Sequence, residues 1–142
     1  YRLDELYHSL ERLSARQVTV MLDACFSGRT GRGRQVVMLL EGTRGIGVAP
    51  RQIEVGERLV VLTASAGNQV SSSYPEKSHG LFTYFLMRGL KGEADANQDR
   101  AVTIQELYTY VRRQVTTQAG RLDREQTPEL LGDDIHRVIV RY

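Results

Sequence analysis

Gln17-Val18-Thr19-Val20-Met21-Leu22-Asp23-Ala24-Cys25-Phe26-Ser27-Gly28, residues 17 to 28, is the stretch on which the fold turns. Its first half, Gln17 to Asp23, is short, β-branched and almost continuously apolar at the centre. That is the pattern of a strand covered on both faces by helices. Its second half is small and polar. In an open α/β sheet ligands collect beyond the carboxyl ends of the strands, so this segment delivers Asp23 and Cys25 to a rim where chemistry is done. Side chains two apart on a strand share a face, which puts Asp23 and Cys25 on one side and Leu22 and Ala24 on the other. The small residues Ala24, Ser27 and Gly28 leave room for another backbone to approach the sulfur.

Outward from this stretch, Leu3, Leu6, Tyr7, Leu10 and Leu13 repeat at helical spacing and predict an amphipathic opening helix. Two further runs, Gln35 to Leu40 and Leu59 to Thr63, read as strands, with the glycine- and arginine-rich segments Gly28 to Arg34 and Gly42 to Gly47 as loops. Ser78 is placed to cap a helix carrying Leu81, Phe82, Phe85, Leu86 and Leu90. Thr103 with Glu106 makes a capping box for a helix that runs past Val111 and Val115. Ile135 to Val140 reads as a last strand at a sheet edge. This order predicts an α/β domain, a mostly parallel sheet sandwiched by helices, over residues 1–142, with upstream strands expected to lie outside this chain.

The bulk properties fit one domain. The 142 residues are 41% hydrophobic and 25% charged, ordinary globular usage, and no apolar run approaches the roughly 18 residues of a spanning helix. Nineteen basic residues against seventeen acidic ones give a net charge of +2 scattered along the chain. The arginines are not interleaved with aromatics, so neither a nucleic-acid surface nor a membrane surface is expected. A single cysteine cannot form an internal disulfide, which suits a reducing, cytoplasmic setting.

A free thiol with a pKa near 8.5 is only about three per cent thiolate at neutral pH, and a neighbouring carboxylate lowers that fraction. Cys25 is therefore either an inert core residue or a nucleophile assisted by a cationic group. The motif Asp23-Ala24-Cys25-Phe26-Ser27-Gly28 at a strand end resembles the nucleophile motif of the metacaspases and their bacterial caspase-like relatives. Leu62-Thr63-Ala64-Ser65, His79-Gly80-Leu81-Phe82-Thr83-Tyr84-Phe85-Leu86, Gly92-Glu93-Ala94-Asp95 and Glu125-Gln126-Thr127-Pro128 resemble the segments that follow the nucleophile in that family, in the same order. The resemblance covers nearly the whole chain.

It implies a caspase-like three-layer sandwich and a cysteine peptidase with Cys25 as nucleophile and its backbone N–H in the oxyanion hole. A histidine would activate the thiol and protonate the leaving amine. The family places that histidine roughly 50 residues before the cysteine, and only twenty-four residues precede Cys25 here. The resemblance thus implies a dyad completed by an upstream fragment of the same protein. His8 reads as a surface residue of the opening helix, His79 as a helix-entry residue, and His136 as structural in the last strand. By the same resemblance Asp23 lines the pocket for the side chain preceding the scissile bond, with Ser65 a second substrate-binding candidate. A carboxylate there selects Arg or Lys; the alternative for Asp23 is a strand-end capping residue.

Two secondary signals remain. Asp95, Asn97, Asp99, Thr103 and Glu106 fall at positions 1, 3, 5, 9 and 12 of an EF-hand loop. Arg100, however, stands where the sharp turn calls for glycine. The favoured reading is a calcium-free turn with no cofactor required, calcium at Asp95, Asn97, Asp99 and Glu106 being the alternative. Arg29, Arg32 and Arg34 make a basic loop just after Cys25, either an ordinary solvated loop or a site of self-processing. The rival functions are a catalytically incomplete scaffold that has lost its histidine, and a calcium-binding regulatory domain.

Overall fold

Through residues 3–23, 29–30, 37–38, 56–66, 69, 71–74 and 79–142, which the computed structural model describes, the chain begins with helix α1 (Leu3–Glu11) and strand β1 (Val18–Leu22). Strands β2 (Arg29–Thr30), β3 (Val37–Met38), β4 (Leu59–Thr63), β5 (Ser73–Tyr74) and β6 (His79–Gly80) follow. Helix α2 (Leu81–Arg88) then runs into a π turn (Gly89–Glu93), before β7 (Ala101–Thr103), α3 (Ile104–Arg121), β8 (Glu129–Leu131) and β9 (Val138–Arg141).

The apolar run Leu59–Thr63 is the centre of the molecule because strand alternation gives it two apolar faces. Val60, Leu62 and Ala64 pack with Leu81, Phe82, Phe85, Ile104, Leu107, Val111 and Val115 of α2 and α3. Leu59 and Val61 pack on the opposite side against Tyr7 and Leu6 of α1, with Val18, Val20 and Leu22 of β1 beside them. Helix, sheet, helix is the three-layer sandwich expected of the sequence. β4 lies between β1 and β8, parallel to β1 with Val20 opposite Val61 and antiparallel to β8 with Leu62 opposite Leu130. The described sheet is therefore mixed rather than mostly parallel.

The difference comes from Glu129–Leu131, only three residues with no β-branched member, which gave no strand signal. Conversely, the expected last strand Ile135 to Val140 starts later. Ile135 and His136 form a turn, and Val138–Arg141 pairs with β7 away from the main sheet. His136 is thus an exposed turn residue. That turn has a purpose of its own: the carbonyls of Arg137 and Ile135 accept the first two N–H groups of α3, Ile104 (3.1 Å) and Gln105 (2.8 Å). Thr103 and Glu106 close the expected capping box. Of Gln35 to Leu40, the described pair Val37–Met38 bonds to Arg29–Thr30 as a small antiparallel ladder, so part of the expected loop is strand. Ser78 lies outside the described residues; α2 is capped at Gly80. The opening helix stops at Glu11, leaving Leu13 half exposed.

Where α2 unwinds, Gly92 adopts φ +111°, and a Cβ there would meet the Tyr142 ring 2.6 Å away, so only glycine fits. The neighbouring Glu93 joins the helices: one oxygen accepts from Arg88 Nε (2.6 Å), the other from the Tyr110 hydroxyl of α3 (2.6 Å). The Arg88 hydrogen bond, against burial and with help from Tyr110, holds the Glu93 carboxyl below its ordinary range. Burial and the Glu93 hydrogen bond push the Tyr110 phenol up to about 12. A lowered folded-state pKa stabilises the protein fully above the unfolded carboxyl pKa of about 4.3 and loses that contribution as pH falls through the folded value. Both partners are over two-fifths exposed, so the gain is at most about 1 kcal/mol. In thermal melts between pH 6 and pH 3, the wild-type midpoint should therefore fall more steeply than that of Glu93→Gln.

Candidate active site

The parallel strands β1 and β4 end together. Leu22 stands opposite Thr63, and the Ala64 N–H donates to the Leu22 carbonyl at 2.9 Å. Asp23 is the next residue, exposed at the rim. Its position is set by α2. That helix starts on Gly80, which has no capping side chain, and its first N–H groups need outside acceptors. Leu81 N–H donates to the Ser72 carbonyl (2.8 Å). Asp23 takes the third: Oδ2 accepts from the Thr83 N–H (3.3 Å) and from the Thr83 hydroxyl (2.5 Å), while Oδ1 accepts from the Ser71 hydroxyl (2.5 Å). Asp23 is thus the N-cap of α2 supplied from another element, an anion where the helix dipole favours one. Gly80 is required for this approach, because a Cβ there would collide with Asp23 Oδ2.

A second polar frame lies behind the rim. Gln126 is 1% exposed, and its amide bridges two buried backbone groups, accepting from the Ser72 N–H (2.8 Å) and donating to the Ala64 carbonyl (2.9 Å). Gln69 returns the link by accepting the Thr127 N–H at 2.7 Å. Ser65, 4% exposed, donates to the Gln69 carbonyl (3.2 Å), so its hydroxyl braces the loop from inside. Sequence reasoning assigned no role to Ser71, Thr83 or Gln126. The signal for the first two was a helix entering on glycine, which must borrow its cap.

Cys25, its backbone N–H, Arg32 and Arg34 lie outside the described residues, and Arg29 is described only as backbone in β2. All three histidines are described and exposed. His8 lies beside Glu11 on α1; His79 pairs with Tyr74 in β6, immediately before the helix entry expected of it.

The acidic loop is organised by its own backbone. Asp95 accepts the N–H groups of Gln98 (2.8 Å), Asp99 (3.3 Å) and Arg100 (3.0 Å) and the Tyr142 hydroxyl (2.8 Å). Desolvation works against it, yet the Tyr142 hydroxyl and these N–H groups hold its carboxyl low. Asn97 accepts from Asp99 N–H, Asp99 from Ala101 N–H, and Glu106 from Thr103. Arg100 makes the left-handed turn, φ 63°, that glycine would make. Among the described residues no group of three or more His, Cys, Asp and Glu side chains is arranged to hold a metal ion. No described helix is long and apolar enough to cross a membrane.

The three-layer α/β sandwich carries an ordered carboxylate at the carboxyl rim of its parallel strands, the place where open α/β sheets generally collect ligands. The caspase domain model matches residues 2–138, and the chain belongs to that family, whose general function is that of a cysteine peptidase acting on protein substrates. No curated protein matches the chain.

Removing either frame should cost stability. Gln126→Leu strands two buried backbone groups and should lower unfolding free energy by about 2–4 kcal/mol, against about 1 kcal/mol for the lost cap in Asp23→Ala, read from urea unfolding.

Proposed function

We propose that the protein is a cysteine endopeptidase cutting after Arg or Lys, with Cys25 as nucleophile. The observation that supports this reading is the Asp23 carboxylate, exposed at the strand rim yet fixed by Ser71 and Thr83. Two residues before the cysteine, it offers a negative charge to the side chain preceding the scissile bond. A histidine from an upstream part of the same protein takes the thiol proton. The thiolate attacks the carbonyl carbon, the Cys25 N–H stabilises the oxyanion, and the imidazolium protonates the departing amine. Water then hydrolyses the thioester and restores the thiol. Every step is hydrolytic and uses side chains, N–H groups and water, so no cofactor is invoked. Residues 1–142 form one part of that catalytic domain, working in a reducing, cytoplasmic setting.

The test is release of a fluorophore from peptides ending in Arg, Lys or Asp by the full-length protein. Arg and Lys peptides should be cleaved and the Asp peptide not. Cys25→Ala should abolish release, and Asp23→Asn, folded by its melting curve, should lose about 10²-fold in kcat/KM. Cleavage of the Asp peptide alone would overturn the reading.

The loop after Cys25 should also be a substrate. Terminal sequencing of active enzyme should find new amino termini after Arg29, Arg32 or Arg34, absent from Cys25→Ala; fully active protein with an intact loop would refute self-processing.

A further inference from the structure

We propose that Thr83 is a positioning residue that restricts the Asp23 carboxylate to a one-oxygen grip on the substrate cation, so that arginine is not held by both oxygens. The inference rests on the reading of Asp23 as the pocket carboxylate. An ionised carboxylate has about four lone-pair sites, two per oxygen. On Oδ2 both are taken by one residue, through the Thr83 N–H and the Thr83 hydroxyl. On Oδ1 the Ser71 hydroxyl takes one. Among the described residues no donor takes the remaining site, on Oδ1, and Asp23 is exposed.

The two basic side chains use such an acceptor differently. A lysine ammonium is a compact point charge, satisfied by one oxygen. An arginine guanidinium gains most when two parallel N–H groups meet two oxygens, which needs a vacant site on each. With Oδ2 filled, that fork cannot form without displacing a donor. The Thr83 N–H is held by the helix backbone at its third position, beyond reach of side-chain substitution. The hydroxyl is the removable donor. Thr83→Ala deletes it and vacates the space beside Oδ2 that the methyl of a valine would still fill. Ser71→Ala instead opens a second site on Oδ1 and leaves Oδ2 filled.

The experiment compares kcat/KM of the full-length protein on two peptides differing only in Arg or Lys before the scissile bond, for wild type, Thr83→Ala, Thr83→Ser and Ser71→Ala. Thr83→Ala should raise the Arg-to-Lys ratio about tenfold, the worth of one added charge-assisted hydrogen bond, mainly through KM. Thr83→Ser, which restores a hydroxyl, should keep the wild-type ratio, and Ser71→Ala should shift both substrates alike. Thr83→Gly replaces Thr83→Ala should the latter fail to fold. A ratio unchanged within about twofold in the hydroxyl-free variant, while Asp23→Asn still lowers kcat/KM on both peptides about 10²-fold, overturns the inference alone. Undiminished cleavage by Asp23→Asn removes the pocket reading and the inference with it.

Discussion

A helix that begins on glycine brings no side chain of its own to its first N–H groups, and α2 begins on Gly80. Its third N–H is answered by Asp23, the residue that follows β1. This one carboxylate therefore ties the sheet to the helix that carries Leu81, Phe82 and Phe85 into the core. The joint holds only because the parts are mutually shaped: Gly80 must lack a Cβ for the carboxylate to come close, and Ser71 must hold the oxygen that Thr83 does not. Rim and core are thus fixed by one set of contacts.

Behind that joint the loop after β4 would carry buried backbone groups with no ladder to satisfy them, and Gln126 resolves this with one amide. An amide has both an acceptor and a donor, and here they meet the Ser72 N–H and the Ala64 carbonyl on two different segments. A carboxylate in its place could accept but not donate, and an apolar residue could do neither. The segment Glu125 to Pro128 is consequently part of the site's frame although it lies some sixty residues from β4 in sequence.

What was legible in the sequence was whatever one element declares by itself. Leu59–Thr63 announced a doubly covered strand through its unbroken apolar run, and Thr103 with Glu106 announced a helix start through local side-chain chemistry. The family's segments were likewise readable as local strings, and the caspase domain match agrees with them. What was not legible depends on partners far along the chain. Glu129–Leu131 becomes a strand because Leu62 lies beside it, not from any propensity of its own. His79–Gly80 pairs with Ser73–Tyr74, and Val138–Arg141 pairs with β7 because α3 needs the turn before it as a cap. The acidic loop shows the same limit: a spacing that suits a cation also suits a ring of backbone N–H groups, and here Asp95 gathers three of them.

The residue at position 23 illustrates how far capping alone explains a choice. Asparagine caps helices about as well as aspartate, so capping by itself does not require a charge. Asparagine, though, has one acceptor oxygen, whereas the donors here approach from two sides, Thr83 on Oδ2 and Ser71 on Oδ1. A carboxylate accepts from both, whereas an asparagine would accept from Thr83 through its oxygen and donate through its nitrogen to the Ser71 oxygen. Glutamate would also accept both, but its extra methylene would drive the oxygens further into the space that Gly80 has barely left open. The architecture is thus met by aspartate or asparagine, and the charge at position 23 is more than the cap requires. What the architecture leaves over is informative too: among the described residues three donors meet the carboxylate, one acceptor site is left to it, and Asp23 is exposed two residues before Cys25.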